Sequence, residues 1–185
     1  ELSYYPGEVN LRMADVVIIN KVDSAAPENI ELVRSNTRMA NPTAVIIDGA
    51  SPIKVDNPEV IRGKRVLIVE DGPTLTHGDM SMGAGTLAAQ KYGAAEIIDP
   101  RPYAVRSLAD TYKLYPHLGA VLPAMGYGAK QIADLEATIA AIDCDAVIVG
   151  TPIDLARVVK IDKPNVRVRY DLQEIGSPNL AEVLE

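Results

Sequence analysis

The sequence predicts an α/β fold in which helices cover both faces of a parallel sheet, and two patterns in its 185 residues support this. Short runs rich in Val and Ile recur, and most are continuously apolar, as strands buried on both faces are. Segments with apolar residues at helical spacing separate these runs. Strand, helix and strand thus follow one another at intervals of roughly 20–30 residues, which is typical of βαβ units. The expected architecture is three-layered and Rossmann-like.

The individual elements follow from these patterns. The predicted strands are the apolar runs 16–19, 44–47, 66–69, 96–98, 120–122 and 146–149. A last run differs, because Val166, Val168 and Tyr170 alternate with arginines, and this alternation indicates a half-exposed edge strand. The predicted helices cover residues 27–39, with Ser24 as the cap, then 83–92, 105–112, 132–142 and 154–159.

A charged segment with a proline, residues 54–62, is the predicted boundary between two parts of the chain. We expect residues 1–57 to be the C-terminal tail of one domain, and residues 58–185 to form a Rossmann-like α/β domain. Two strands and one helix bury too little apolar surface to be stable alone. The first part should therefore lean on the second, or belong to a domain that begins upstream.

Composition and charge exclude several classes of function. The chain is 48% hydrophobic, which is enough for a globular core, and its formal net charge of −7 argues against non-specific nucleic-acid binding. A single cysteine, Cys144, excludes an internal disulfide and a cysteine-based metal site. No apolar run approaches the roughly 20 residues that cross a bilayer. We expect a cytoplasmic protein that binds neither nucleic acid nor membrane.

Polar residues follow the first two predicted strands. Asn20, Lys21 and Asp23 form an Asn-Lys-x-Asp motif after the first strand, and Ala50 and Ser51 follow the second. In P-loop GTPases such a motif reads guanine, because the aspartate accepts two N–H bonds from the base edge and the lysine stem packs over the ring. These residues are therefore predicted to bind a nucleotide base. The alternative is a capped turn, in which Asp23 opens the following helix.

A phosphate-binding loop of the form Gly-x-x-x-x-Gly-Lys-[Ser/Thr] does not occur in the sequence. A nucleoside triphosphate needs such a loop, or an equivalent, to hold its phosphates and Mg²⁺. We therefore interpret the first part as the tail of a P-loop NTPase-like domain whose phosphate loop lies upstream. The expected cofactors are ATP or GTP with Mg²⁺, and the 185 residues alone should show no nucleotide hydrolysis.

The connection after the third strand, residues 72–86, is longer than the two to six residues usual for such a link. Glu70 and Asp71 precede it, and His77 and Asp79 lie within it. Acidic and histidine side chains at this spacing can bind a divalent metal or move protons, so these four are candidate catalytic residues; the metal question stays open. The alternative is a polar lid.

The end of this connection opens a helix at Gly83, Gly85 and Thr86. Free N–H groups at a helix start suit a phosphate or a carboxylate, so these residues are predicted to bind an anionic group. Arg101 and Arg106, beyond the fourth strand, are the best basic candidates for a phosphate contact, and Arg101 completes the predicted catalytic set. The expected substrate is a small anionic, phosphorylated molecule.

Three segments together resemble a known family. Residues 14–23, residues 69–80, which include Glu-Asp-Gly-Pro-Thr-x-Thr-His-Gly, and residues 150–155 are similar to cyclic 2,3-diphosphoglycerate synthetase, whose bacterial relatives are often labelled predicted GTPases. The resemblance implies an NTP-dependent ligase that closes 2,3-diphosphoglycerate to a cyclic phosphoanhydride by phosphoryl transfer. Two other interpretations stay open: a regulatory or chaperone-type GTPase, and a non-catalytic Rossmann-like domain that binds an acidic metabolite. The sequence is also compatible with a homo-oligomer.

Overall fold

A computed structural model describes residues 2–77 and 83–184 of the chain. The helices are α1 (Tyr5–Met13), α2 (Pro27–Ala40), α3 (Gly72–His77), α4 (Ala84–Lys91), α5 (Arg106–Leu114), α6 (Ala129–Ala141) and α7 (Leu180–Leu184). The strands are β1 (Val16–Ile19), β2 (Val45–Ala50), β3 (Ile53–Val55), β4 (Arg65–Asp71), β5 (Glu96–Ile97), β6 (Leu122–Ala124), β7 (Ala146–Gly150), β8 (Asn165–Tyr170) and β9 (Gln173–Ile175). Short 3₁₀ turns lie at Pro58–Val60, Arg101–Tyr103 and Leu155–Arg157.

The chain divides into two compact units. The first unit combines Glu1–Pro52 with Tyr170–Glu185, and the second unit is Ile53–Arg169. The expected division lay between residues 57 and 58 and placed the end of the chain in the second part. The end of the chain joins the first unit through β9, which pairs with β2, whereas β3 joins the sheet of the second unit.

The first unit contains a three-stranded sheet in the order β1-β2-β9. The strands β1 and β2 are parallel, with Val16 opposite Val45, and β9 runs antiparallel to β2. Asn41 is buried after α2 and ties the unit together: its Nδ2 donates to the carbonyl oxygens of Leu11 and Ala14, and its Oδ1 accepts from the backbone N–H of Ala44. The predicted cap of α2 is wrong, because the helix starts after Ala26 and the Ser24 hydroxyl donates to the carbonyl of Lys21 instead.

The second unit contains a six-stranded sheet in the order β3-β8-β7-β4-β5, with β6 also paired to β4. The strand β4 is parallel to β5, β6 and β7, and β7 is parallel to β8. The prediction that residues 166–170 form an edge strand is wrong, because β8 lies between β7 and β3. The chain fills one side of β4 with β5 and β6 and then crosses to β7, so the strand order reverses between β4 and β7.

Two apolar clusters lie on opposite faces of this second sheet. One contains Leu67, Val69 and Val147 with residues of α5 and α6, and the other contains Ile68 and Ile148 with residues of α3 and α4. Helices therefore cover both faces, and the α/β, Rossmann-like fold class is confirmed. The tail of a P-loop domain stays a prediction. Within the part of the chain that the structure describes, no helix is long and apolar enough to cross a membrane.

Candidate functional site

The base-reading candidates of the first unit meet in space. The two loops join because Asn20 Oδ1 accepts a 2.9 Å hydrogen bond from the Ser51 hydroxyl, and Asp23 Oδ1 accepts a 3.2 Å hydrogen bond from the Ser51 backbone N–H. A backbone bond of 3.0 Å from Val22 N–H to the Gly49 carbonyl adds to this contact. The loops after β1 and β2 thus form one polar surface, with Ala50 buried beneath it.

The backbone of this surface turns sharply at Lys21. Its φ of 63° lies in the left-handed region, and Asn20 Oδ1 accepts a 2.8 Å hydrogen bond from its backbone N–H. Asn20, Lys21 and Asp23 are exposed, and the other oxygen of Asp23, Oδ2, receives no donor from any described residue. The interpretation of Asp23 as a helix cap is wrong, because the residue that precedes α2 is Ala26 and no side chain caps it.

In the second unit, Glu70 lies at the carboxyl end of β4 and is only 2% exposed. Its position follows from the strand pattern, because Val66 and Ile68 point to the α4 face and Glu70 is the next residue on that face. Its Oε1 accepts a 2.8 Å hydrogen bond from the Gly85 backbone N–H and a 3.1 Å hydrogen bond from that of Thr86. The anion at the start of α4 is thus a carboxylate of the protein itself.

The charge of Glu70 is poorly compensated. Burial raises the pKa of this carboxyl to about 7, although hydrogen bonds from the backbone of Thr86, Gly85 and Gly83 act in the opposite direction, and the neighbouring charge of Asp71 raises the pKa further. Neither Glu70 nor Asp71 forms an ion pair with any residue that the structure describes. A carboxylate with this pKa can exchange a proton near neutral pH.

Asp71 has a structural role at the start of α3. Its Oδ2 accepts hydrogen bonds from the Thr74 hydroxyl at 2.6 Å and from the Thr74 backbone N–H at 3.2 Å, which is the geometry of an N-cap. Burial and the charge of Asp71 raise the pKa of Tyr127, so this tyrosine, which follows β6, lies near the same strand end. Tyr127 is a polar neighbour that the sequence patterns did not single out.

The structure provides less information on the other predicted catalytic residues. His77 ends α3, which replaces the first part of the expected loop, while its side chain and Asp79 lie outside the described residues. Arg101 pairs with Asp99 at 2.5 Å and has no described hydrogen bond or ion pair to Glu70. Residues 2–77 and 83–184 contain no group of three His, Cys, Asp or Glu side chains that could hold a metal ion.

Gly150, at the carboxyl end of β7, belongs to the surroundings of Glu70 and was not predicted. It lies opposite Glu70 in the strand pairing, and a Cβ placed on it would overlap Oε2 of Glu70. The available signal was an apolar strand that ends in glycine. That signal does not say which side chain requires the space.

Comparison with known proteins places this geometry in context. No family model matches the chain. The chain is 63% identical over 185 residues to the arginine synthetase ArcE of Thermococcus kodakarensis. The match covers 100% of this chain and 41% of that protein, so the chain spans less than half the length of its relative. The relative bears the name of a synthetase, but not that of cyclic 2,3-diphosphoglycerate synthetase.

Proposed function

We propose that this chain is part of an NTP-dependent synthetase with arginine as its product, in which the first unit reads the nucleotide base and the second unit holds the substrate. The observation that supports the nucleotide role is the polar surface that Asn20, Asp23 and Ser51 form through their hydrogen bonds. The similarity to arginine synthetase ArcE over the whole chain supports the reaction class.

The residues of the first unit fit a nucleotide base. Oδ2 of Asp23 receives no donor from any described residue and could accept N–H bonds from a base edge, and the Ser51 backbone lies beside it because its N–H donates to Asp23 Oδ1. The triphosphate and Mg²⁺ would be held by other parts of the longer protein, since the sequence has no phosphate loop. Bound nucleotide supplies the phosphoryl group that activates the substrate, and catalysis of this kind depends on positioning and charge neutralisation.

Closure of 2,3-diphosphoglycerate to its cyclic phosphoanhydride is the second candidate. It is favoured by the Glu-Asp-Gly-Pro-Thr-x-Thr-His-Gly block within residues 69–80. The position of Glu70 weighs against it, because the N–H groups of Gly85 and Thr86 that would receive a substrate phosphate already bind this carboxylate. A regulatory GTPase and a non-catalytic binding domain are the remaining alternatives, and neither requires turnover of a small substrate.

The reaction is tested with the longer protein that contains this chain. In the reverse of the proposed synthesis, phosphate displaces an amine from the guanidinium carbon of arginine, the phosphoryl group passes to the nucleoside diphosphate, and a ureido product remains. We expect this arginine-dependent formation of ATP or GTP to be measurable. Formation of the cyclic product from 2,3-diphosphoglycerate and NTP would instead establish the second candidate. Nucleotide binding with neither activity would favour a regulatory GTPase.

The nucleotide role is tested by Asp23→Ala, with Asp15→Ala as the matched control. Asp15 is exposed and precedes β1, so the control removes the same charge at the opposite end of the strand. We expect Asp23→Ala to weaken binding of the preferred nucleotide by about 2 kcal/mol, roughly 30-fold, because the base loses a charged acceptor. Equal affinities of the two variants for both ATP and GTP would contradict the base-reading role.

A further inference from the structure

The surroundings of Glu70 lie at the point of the second unit where substrates are expected. In open α/β sheets ligands bind beyond the carboxyl ends of strands, where the strand order reverses, and in this unit that point lies between β4 and β7. Glu70 ends β4 on the face of α4, and Gly150 lies opposite it at the end of β7. The buried carboxylate therefore occupies the crevice itself.

The carboxylate is held as a bound anion would be held. Oε1 accepts hydrogen bonds from two backbone N–H groups at the start of α4, and a phosphate bound at a helix start accepts from the same kind of donor. Glycine at 83 and 150 leaves room for it, since a Cβ on Gly83 would lie 2.6 Å from Oε2 and one on Gly150 would overlap the same oxygen. The site is thus shaped around this carboxylate, and the N–H groups that bind it are not available to a second anion.

A second observation concerns the Thr86 side chain at the same helix start. The Thr86 hydroxyl is buried and has no hydrogen-bond partner among the described residues, although the backbone N–H of the same residue binds Glu70. Thr86 is only 8% exposed, and a buried hydroxyl without a partner is costly. An N–H donor or a cation at the start of α4 would meet a hydroxyl without a described partner and a carboxylate without an ion pair to any described residue.

We propose that Glu70 determines substrate specificity in the second unit: its carboxylate takes the place of a phosphate at the start of α4, so that the crevice beyond β4 and β7 rejects phosphate groups and accepts a group that carries positive charge or N–H donors. This inference rests on the proposed function, in which the second unit holds the substrate. It selects a guanidinium-bearing molecule over 2,3-diphosphoglycerate.

The test is calorimetric titration of the longer protein, with the nucleotide site filled by a non-hydrolysable NTP analogue so that phosphate binding there does not contribute. The ligands are L-arginine and 2,3-diphosphoglycerate, and the proteins are wild type, Glu70→Gln and the control Glu59→Gln. Glu59 is exposed and pairs with Arg62, so the control removes one negative charge elsewhere in the same unit. We expect Glu70→Gln to bind arginine at least tenfold more weakly and Glu59→Gln to bind it as wild type does.

Three results would overturn the inference: no binding of arginine by wild type, equal arginine affinities of wild type and Glu70→Gln, or tighter binding of 2,3-diphosphoglycerate than of arginine by wild type. If Glu70→Gln does not fold, the order of the two wild-type affinities decides. Failure of the nucleotide role in the proposed function is seen separately, as absence of NTP-analogue binding. In that case the same titrations without the analogue still test Glu70.

Discussion

The two units of this chain differ in charge and in core. The first unit carries four Lys and Arg residues against eleven Asp and Glu residues, whereas the second unit has fourteen of each, so the whole excess of negative charge lies in the first unit. In the first unit α1 contributes no buried residue, and Tyr5 and Met13 are 77% and 76% exposed. In the second unit two layers of buried side chains cover the sheet.

The candidate sites differ in the same way. Asn20 and Asp23 lie on exposed loops, where a hydrogen bond contributes little to stability and is available to a ligand. Glu70 lies inside the second unit, where its charge must be offset by the protein or by a ligand. Substitutions in the first site should therefore change binding with little change in stability, and substitutions around Glu70 should change both.

The largest expected difference is between a buried side chain of the second unit and an exposed side chain of the first. Ile148 in β7 has no exposed surface, and Ile148→Ala should lower the free energy of unfolding by about 2–5 kcal/mol, because a cavity remains in the packed layer. Leu32 in α2 is 58% exposed, and Leu32→Ala should change the same quantity by about 0.5 kcal/mol or less. Urea denaturation of both variants measures this. Equal losses would show that Leu32 is packed as tightly as Ile148.

The next effect is the pH dependence caused by Glu70. Its pKa is about 7 in the folded chain against an ordinary value of 4.5, so between these pH values the native state keeps a proton that the unfolded state has released. Stability contributed by this group is therefore present at low pH and is lost as pH rises through 7. Glu70→Gln removes that loss, so its stability relative to wild type should rise by about 2–3 kcal/mol between pH 5 and pH 8.

Urea denaturation at the two pH values measures this difference, with Glu59→Gln as the control. Glu59 is exposed, so its variant should follow wild type at both pH values. A Glu70→Gln variant that follows wild type in the same way would show that the Glu70 carboxylate is solvated rather than buried. The proposed contrast between an exposed and a buried site would then fail.

Local sequence patterns predicted most strands, because a strand buried on both faces needs a continuous apolar run. They missed β3, because a strand of three residues after Pro52 is too short to show an alternating pattern. Without β3, the alternation of Val166 and Val168 with arginines indicated that β8 was an edge strand. In the structure loops contact both arginines of this inner strand, because Arg167 Nη2 donates to the Pro152 carbonyl and Arg169 pairs with Asp56. Arg167 Nε is buried without a partner among the described residues. The alternating pattern therefore identified the polar residues of β8 correctly, but it could not show which strand pairs with β8.

The candidate sites show the same limit. Asn20, Asp23 and Ser51 could be predicted together because parallel neighbours β1 and β2 end at the same edge of a sheet. The start of α4 was also predicted, as an anion site for a ligand. That Glu70 supplies the anion depends on the strand register and on the glycines around the carboxylate. These contacts join residues that are far apart in the sequence, so a local sequence pattern does not predict them.

The smallest expected effect compares the two ends of the first unit. Asn179 and Glu182 bond reciprocally at the start of α7, at 2.9 Å from the Glu182 N–H to Asn179 Oδ1 and 3.0 Å from the Asn179 N–H to Glu182 Oε2. This is a capping box, so Asn179→Ala should cost about 1 kcal/mol. Ser24, which the sequence predicted as a cap, makes only a 3.4 Å bond within its turn, so Ser24→Ala should cost less than about 0.5 kcal/mol.

Urea denaturation of these two variants is compared at one pH. The α7 cap affects the first unit through β9, because Glu174 Oε1 accepts a 2.6 Å hydrogen bond from the Leu180 N–H and β9 pairs with β2. Loss of the cap should therefore weaken the closing strand of the sheet that carries Ser51. If Asn179→Ala costs no more than Ser24→Ala, the end of the chain does not stabilise the first unit, and its sheet depends on β1 and β2 alone.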